Sequence, residues 1–165
     1  MEAIMAVENL VAVGATPSDS RLSHGMGGDV KCWSRTVEIS ASATEASTYD
    51  FGYIPADARI LGESTYSIDD CSTESSSTMD FGLYAVDGNI TSDDDALNDG
   101  IVLGTAATKQ PLIKNIANYG KRAWQFVNGQ TTNPKGQLLV RGTIKDAAIS
   151  NVGGTFTVEL FFVLP

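Results

Sequence analysis

The sequence predicts an all-β protein, an antiparallel jelly-roll-like β-sandwich preceded by an extended N-terminal arm. Three observations carry that expectation. From Arg35 onward, apolar and polar residues alternate with period two in one segment after another. Short clusters of turn-forming residues separate the segments: Asn118 to Gly120, Asn128-Gly129, Asn133-Pro134-Lys135-Gly136 and Gly153-Gly154. Convincing helical punctuation is confined to Thr91 to Gly100, where Thr91 or Ser92 can cap, Asp93, Asp94 and Asp95 suit the positive end of a helix dipole, and Gly100 can stop the turn. A helix of about two turns is expected there, near Ser92 to Asn98.

Taken in order, Met1 to Val13 carries Ile4, Met5, Val7, Leu10, Val11 and Val13, diluted by few polar residues. Gly14 to Asp29 is rich in Gly, Ser and Pro and cannot bury enough surface to pack alone. Residues 1–34 are therefore read as an arm with an apolar tip on a tether, and residues 35–165 as the sandwich. Met1 to Val13 also fits a first core strand or a short helix. In the sandwich, Val37, Ile39, Ala41 and Ala43 face one way. A strand at Tyr49 to Ile54 follows, broken by Pro55, which cannot donate a ladder hydrogen bond and holds Ile54 extended. Arg59 to Ile68 restarts the pattern, Asp69 to Ser77 is an exposed loop, and Thr78 to Val86 is a strand closed by a turn at Asp87-Gly88-Asn89. Ile101 to Thr105, Gln110 to Ile116, Arg122 to Val127, Gln137 to Ile144 and Thr155 to Leu164 complete eight or nine strands. The expected two-layer core is Val37, Ile39, Phe81, Leu83, Trp124, Phe126, Leu139, Ile144, Phe156, Val158, Leu160 and Phe162.

With 165 residues, 42% of them hydrophobic, the chain can build one domain with a core but not comfortably two. Its net charge of -9 repels phosphate backbones and anionic membranes, so no nucleic-acid or membrane partner is expected. No apolar run is long enough to span a bilayer, and Met1 to Val13 lacks the basic start of a signal peptide, which predicts a soluble, unprocessed chain. Cys32 and Cys71 do not make a disulfide framework and read as separate thiols.

No catalytic set emerges. His24, the one histidine, lies in the tether, a poor place for a general base, and no Gly-x-Ser-x-Gly, P-loop, CxxC or HExxH pattern occurs. Asp50, Asp57, Glu63 and Asp80 could supply a glycosidase carboxylate pair, but their spacing supports none. Asp93, Asp94 and Asp95 with Asn98 and Asp99 miss the EF-hand ligand spacing and read as a solvated helix start. No enzyme, cofactor or metal is expected. Trp33, Trp124 and the tyrosines could offer sugars a stacking platform; Trp124 reads as core and Trp33 as the better contact residue.

Tyr53-Ile54-Pro55-Ala56-Asp57-Ala58-Arg59-Ile60-Leu61 resembles a segment of small, acidic tailed-phage head proteins, as do Asp80-Phe81-Gly82-Leu83-Tyr84 and Asp99 to Ala107. The likeness runs from about Trp33 to Ile113, and Thr155 to Leu164 fits as well. It is to capsid decoration, or cement, proteins and related phage head structural proteins. The resemblance implies a virion structural protein on the outer surface of the head, assembled in the host cytoplasm, bound to the major capsid protein and bridging neighbouring capsomers, often as a homotrimer. In that setting Ile4, Met5, Val7, Leu10, Val11, Val13 and Trp33 are the expected capsid- or subunit-binding residues. A glycan- or receptor-binding sandwich on a virion or cell surface is the alternative.

Overall fold

A computed structural model describes residues 9–11, 30–73, 76–86, 92–150 and 153–164. Ten strands run in order: β1 (Asn9–Val11), β2 (Val30–Ile39), β3 (Thr48–Pro55), β4 (Arg59–Ile60), β5 (Thr65–Ile68), β6 (Thr78–Ala85), β7 (Asp93–Val102), β8 (Ala107–Pro111), β9 (Gln137–Lys145) and β10 (Gly154–Val163). The pairing is nested: β2 with β10, β3 with β9, β5 with β8 and β6 with β7, all antiparallel. A long hairpin paired in this way and rolled up places alternate pairs on opposite sheets. The two sheets are indeed β1-β3-β9-β6-β7 and β2-β10-β5-β8, with β4 beside β10. This is the jelly-roll order, with β1 added in parallel to the edge of β3.

Period-two burial sets which face each strand presents. β2 buries Val37 and Ile39, β9 buries Val140 and Ile144, and β10 buries Phe156, Val158, Leu160 and Phe162. Between the sheets, Phe51 and Phe81 from one side meet Phe156 from the other, at ring-centroid distances of 5.1 to 5.9 Å. Tyr66 stacks on Phe156 at 5.5 Å. Each such pair adds about 0.5 to 1.5 kcal/mol beyond its area burial.

The Pro55 segment carries the chain from one sheet to the other. β3 ends at Pro55, Ala58 N donates to Pro55 O at 2.9 Å, and β4 then pairs Ile60 with Phe162 in the opposite sheet. Ala56 and Ala58 are buried, and their carbonyls accept from Trp124 N (3.2 Å) and Ala123 N (2.7 Å). Small side chains at this crossover let a later 3-10 turn, Ala123–Gln125, lie against it. Arg122 ties the two together by donating to Asp57 at 2.7 Å, and Asn133 donates to the same carboxylate oxygen at 2.6 Å.

The structure corrects several sequence expectations. Residues 93–102 form strand β7, not a helix: two turns of helix cannot offset the loss of a ladder against β6. β7 contains two register shifts against β6, where it passes Gly82 closely. A Cβ on Gly82 would stand 2.2 Å from Asp93 O and 2.5 Å from Asp94 Cα, so only glycine admits the bulged strand there. Arg122 to Val127 is a 3-10 turn rather than a strand; it buries Ala123, Phe126 and Val127 at helical spacing. The strand expected at Gln110 to Ile116 is β8, which begins at Ala107 and ends at Pro111. That expected at Ile101 to Thr105 is the last two residues of β7 and a turn. The first sandwich strand starts at Val30, so residues 30–34, assigned to the arm, are strand, while Ser40 to Ala43 is a turn closed by Ala43 N to Ser40 O. Arg59 to Ile68 is divided by a Leu61–Ser64 turn, whose Ser64 N donates to Leu61 O. Trp124 is only partly buried against the core. The turn expected at 87–89 lies outside the described residues.

Candidate functional site

Three surfaces could do work, and the first is the strand-addition edge. Of the expected contact residues, Ile4, Met5, Val7 and Val13 lie outside the described residues. Leu10 and Val11 sit on β1, opposite Tyr49 and Asp50 of β3. Trp33 lies on β2, between outward-facing Cys32 and Ser34, and is half-buried against the core. Its indole ring reaches across to β3, where the missing side chain of Gly52 leaves it room: a Cβ there would be 3.5 Å from the ring. The Trp33 Nε1–H is shielded from solvent and has no acceptor among the described residues. Leaving such a donor unpaired costs about 1 to 3 kcal/mol. The Arg35 guanidinium stands 6.0 Å over the same ring.

On the outer face of the β2-β10-β5-β8 sheet is an apolar hollow of about 460 Å³ formed by Val30, Leu61 and Phe161, with Glu63, Thr65, Lys109 and Glu159 around it. Strand parity explains it. Phe161 and Phe162 are adjacent on β10, so when Phe162 enters the core Phe161 must face out. Glu159 accepts from Thr65 Oγ1 at 3.3 Å and lies 3.6 Å from Lys109 Nζ, which leaves the apolar floor flanked by a compensated charge pair. Cys32 shares this face, directly opposite Phe161. Partial burial and the nearby Glu159 charge raise its thiol above the ordinary value. Burial, with Asp69 and Asp70 adding to it, pushes the Cys71 thiol up to about 12. The two cysteines are separate free thiols, and neither is primed as a nucleophile.

The third surface is a polar cleft of about 490 Å³ between β7 and the 114–130 segment. Buried Asn98 builds it by donating from Nδ2 to Leu112 O at 3.0 Å, and Lys114 N donates to Leu97 O at 3.0 Å. Asn128 N closes the far side on the Asp93 carboxylate. The carboxylate oxygens of Asp93, Asp94 and Asp95 lie within 4.8 Å of one another. Their chemistry differs. Lys145 donates to Asp94 at 2.6 Å and holds its carboxyl below the usual range. Asp95 is exposed; a hydrogen bond with Asp93, some desolvation and the charges of Asp93 and Asp94 raise it to about 6. With Asp94 held by Lys145 and Asp93 accepting from Asn128 N, the cluster is not arranged as a cation cage.

Among the carboxylates considered for glycosidase chemistry, three hold the fold. Asp50 accepts a two-pronged bond from Arg141 (2.5 and 3.0 Å), Asp57 takes Arg122 and Asn133, and Asp80 accepts from Gly100 N at 2.8 Å. Sequence reasoning missed both the apolar hollow and the polar cleft. The doubled Phe161-Phe162 was the legible signal for the first, because period two forces one of them outward. The cleft draws on residues far apart in sequence, so no local pattern announces it. No described helix is long and apolar enough to cross a membrane.

No protein-family model and no curated protein matches the chain. Two solved structures resemble it in fold. A chain of the cyanophage Pam1 capsid asymmetric unit matches at 21% identity and TM-score 0.57, over 91% of this chain and 97% of that one. A chain of the capsid of Ralstonia phage GP4 matches at 17% identity and TM-score 0.60, over 94% of this chain and 98% of that one. The chain therefore shares, nearly end to end, the fold of chains found in phage capsids.

Proposed function

We propose that this chain is a virion structural protein without catalytic activity, a decoration or cement protein on the outer surface of a phage head. One observation carries the reading: both similar chains come from phage capsids and are covered almost completely, so the likeness is to a whole capsid component. The negative charge supports an exterior place away from packaged DNA, since like charges repel. In this reading the protein binds the major capsid protein where capsomers meet and bridges them, as a homotrimer. Many copies of a weak contact then sum by multivalency to hold the shell.

The expected attachment residues are Ile4, Met5, Val7, Leu10, Val11 and Val13, with Trp33 at the base of the segment. The parallel addition of β1 to β3 supports a role for this segment in strand addition, and the unpaired Trp33 Nε1–H supports a contact beside it. The test is a chain beginning at Val30, compared with the full chain by thermal melting and by co-sedimentation with undecorated heads. A retained fold with binding reduced at least tenfold is expected. Undiminished binding would move attachment to the sandwich surface, and loss of the fold would make the segment part of the core. Failure of the full chain to bind heads would reject the cement reading itself.

A further inference from the structure

Independently of capsid attachment, we propose that the polar cleft between β7 and the 114–130 segment binds an uncharged saccharide. The argument starts from the carboxamides. Asn115 Oδ1 accepts from Ala117 N at 3.0 Å, Asn118 Oδ1 accepts from Lys121 Nζ at 2.8 Å, and Gln125 Oε1 accepts from Arg122 N at 2.9 Å. Each side chain is thereby held by its oxygen, and its amide nitrogen makes no bond among the described residues. Three carboxamides lining the cleft thus each keep an uncommitted N–H2 donor.

Gln130 is held the other way, donating from Nε2 to Thr132 O, which leaves its oxygen as an acceptor. Asp93 and Asp95 on β7 add carboxylate acceptors from the facing wall. A sugar hydroxyl donates one hydrogen bond and accepts others, so a ring of hydroxyls placed between fixed donors and fixed acceptors satisfies both sets. Pinning the amides beforehand lowers the cost of ordering them on binding.

The lining also selects against other ligand classes. Lys114 pairs with Asp99 at 3.6 Å, and the carboxylates of Asp93 and Asp95 on the facing wall repel an anion. The predominance of amide and carboxylate groups disfavours an apolar ligand. A volume of about 490 Å³ suits one or two sugar rings. Weak single-site binding would be multiplied wherever several copies are displayed together.

The experiment uses the full chain and the methyl glycosides of glucose, galactose, mannose and N-acetylglucosamine, with N-acetylneuraminic acid as the anionic comparison. Saturation-transfer NMR detects binding, and amide chemical-shift mapping locates it. At least one neutral glycoside is expected to bind at millimolar concentration, with shifts confined to residues 93–99 and 114–130. Asp95→Asn and Gln125→Ala should each weaken it roughly two- to tenfold, the loss of about one hydrogen bond, without changing the rest of the amide spectrum. No transfer from any neutral probe, shifts elsewhere on the fold, or a preference for the anionic sugar would overturn the proposal. Shift mapping on the unaltered chain decides the matter even where a variant fails to fold. Head binding and sugar binding fail separately, because neither assay contains the other's ligand.

Discussion

Replacing Gly82 with alanine tests whether β7 is the bulged strand described above. The added methyl would stand 2.2 Å from Asp93 O and 2.5 Å from Asp94 Cα, both backbone atoms, where an ordinary contact is about 3.5 to 4 Å. No side-chain rotamer can relieve this. β7 or β6 must move by about 1 Å, and overpacking of that kind costs about 1 to 3 kcal/mol, occasionally more. Alanine also reduces the freedom of the unfolded chain, which returns about 0.4 to 1 kcal/mol where the native backbone is compatible. A net loss of about 1 to 2 kcal/mol is expected, or roughly 2 to 8 °C in Tm for a chain of this size. Gly129→Ala is the comparison: its φ is 76° and nothing lies within 4 Å of the added atom, so only about 1 kcal/mol of backbone strain is expected. Thermal melting followed by circular dichroism measures both. A Gly82→Ala protein melting at or above the unaltered Tm would refute the close passage of β7, and a helical signal from residues 93–99 in backbone chemical shifts would refute the strand.

Two further outcomes follow from charge and burial. Asp95 titrates at about 6 in the folded protein against 3.8 as its ordinary value, so the folded state binds its proton more tightly than the unfolded state. Its contribution to stability is present below about pH 4 and is lost as pH rises to about 6. Because Asp95 is exposed, solvent screening keeps the effect small. Asp95→Asn should flatten that part of the stability-versus-pH curve and raise Tm at neutral pH; an unchanged curve would show that the Asp93 contact does not perturb it. Thiol labelling at neutral pH should modify exposed Cys32 slowly and Cys71 only after denaturant is added, since the Cys71 thiol is buried and titrates at about 12. Rapid labelling of both in the native protein would contradict the packing around Cys71.

The sandwich was legible wherever burial obeys period two without interruption. Val37 and Ile39 on β2, and Phe156 to Phe162 on β10, announce half-buried strands, and Pro55 marks the crossover because proline cannot continue a ladder. β7 was misread for two physical reasons. Its aspartates and Gly100 are equally good helix caps and loop residues, and its two register shifts break the alternation that would have shown a strand, leaving Ala96, Leu97 and Asn98 buried in succession. β8 carries almost no buried side chain, so its pairing rests on backbone bonds that composition cannot reveal. The 3-10 turn at Ala123 is the reverse case, since Ala123, Phe126 and Val127 recur at three and four residues and could have been read as helical spacing. The expected contact residues stand out in the sequence as apolar side chains beside a polar tether, which identifies a segment needing a partner but does not specify the partner.

Cryo-electron microscopy of heads assembled with and without this chain tests the central claim most directly. The account predicts a jelly-roll density, with sheets β1-β3-β9-β6-β7 and β2-β10-β5-β8, at a regular set of capsomer junctions on the outer surface, present only when the chain is supplied. Identical reconstructions with and without the chain, or its density inside the shell or on the tail, would contradict it.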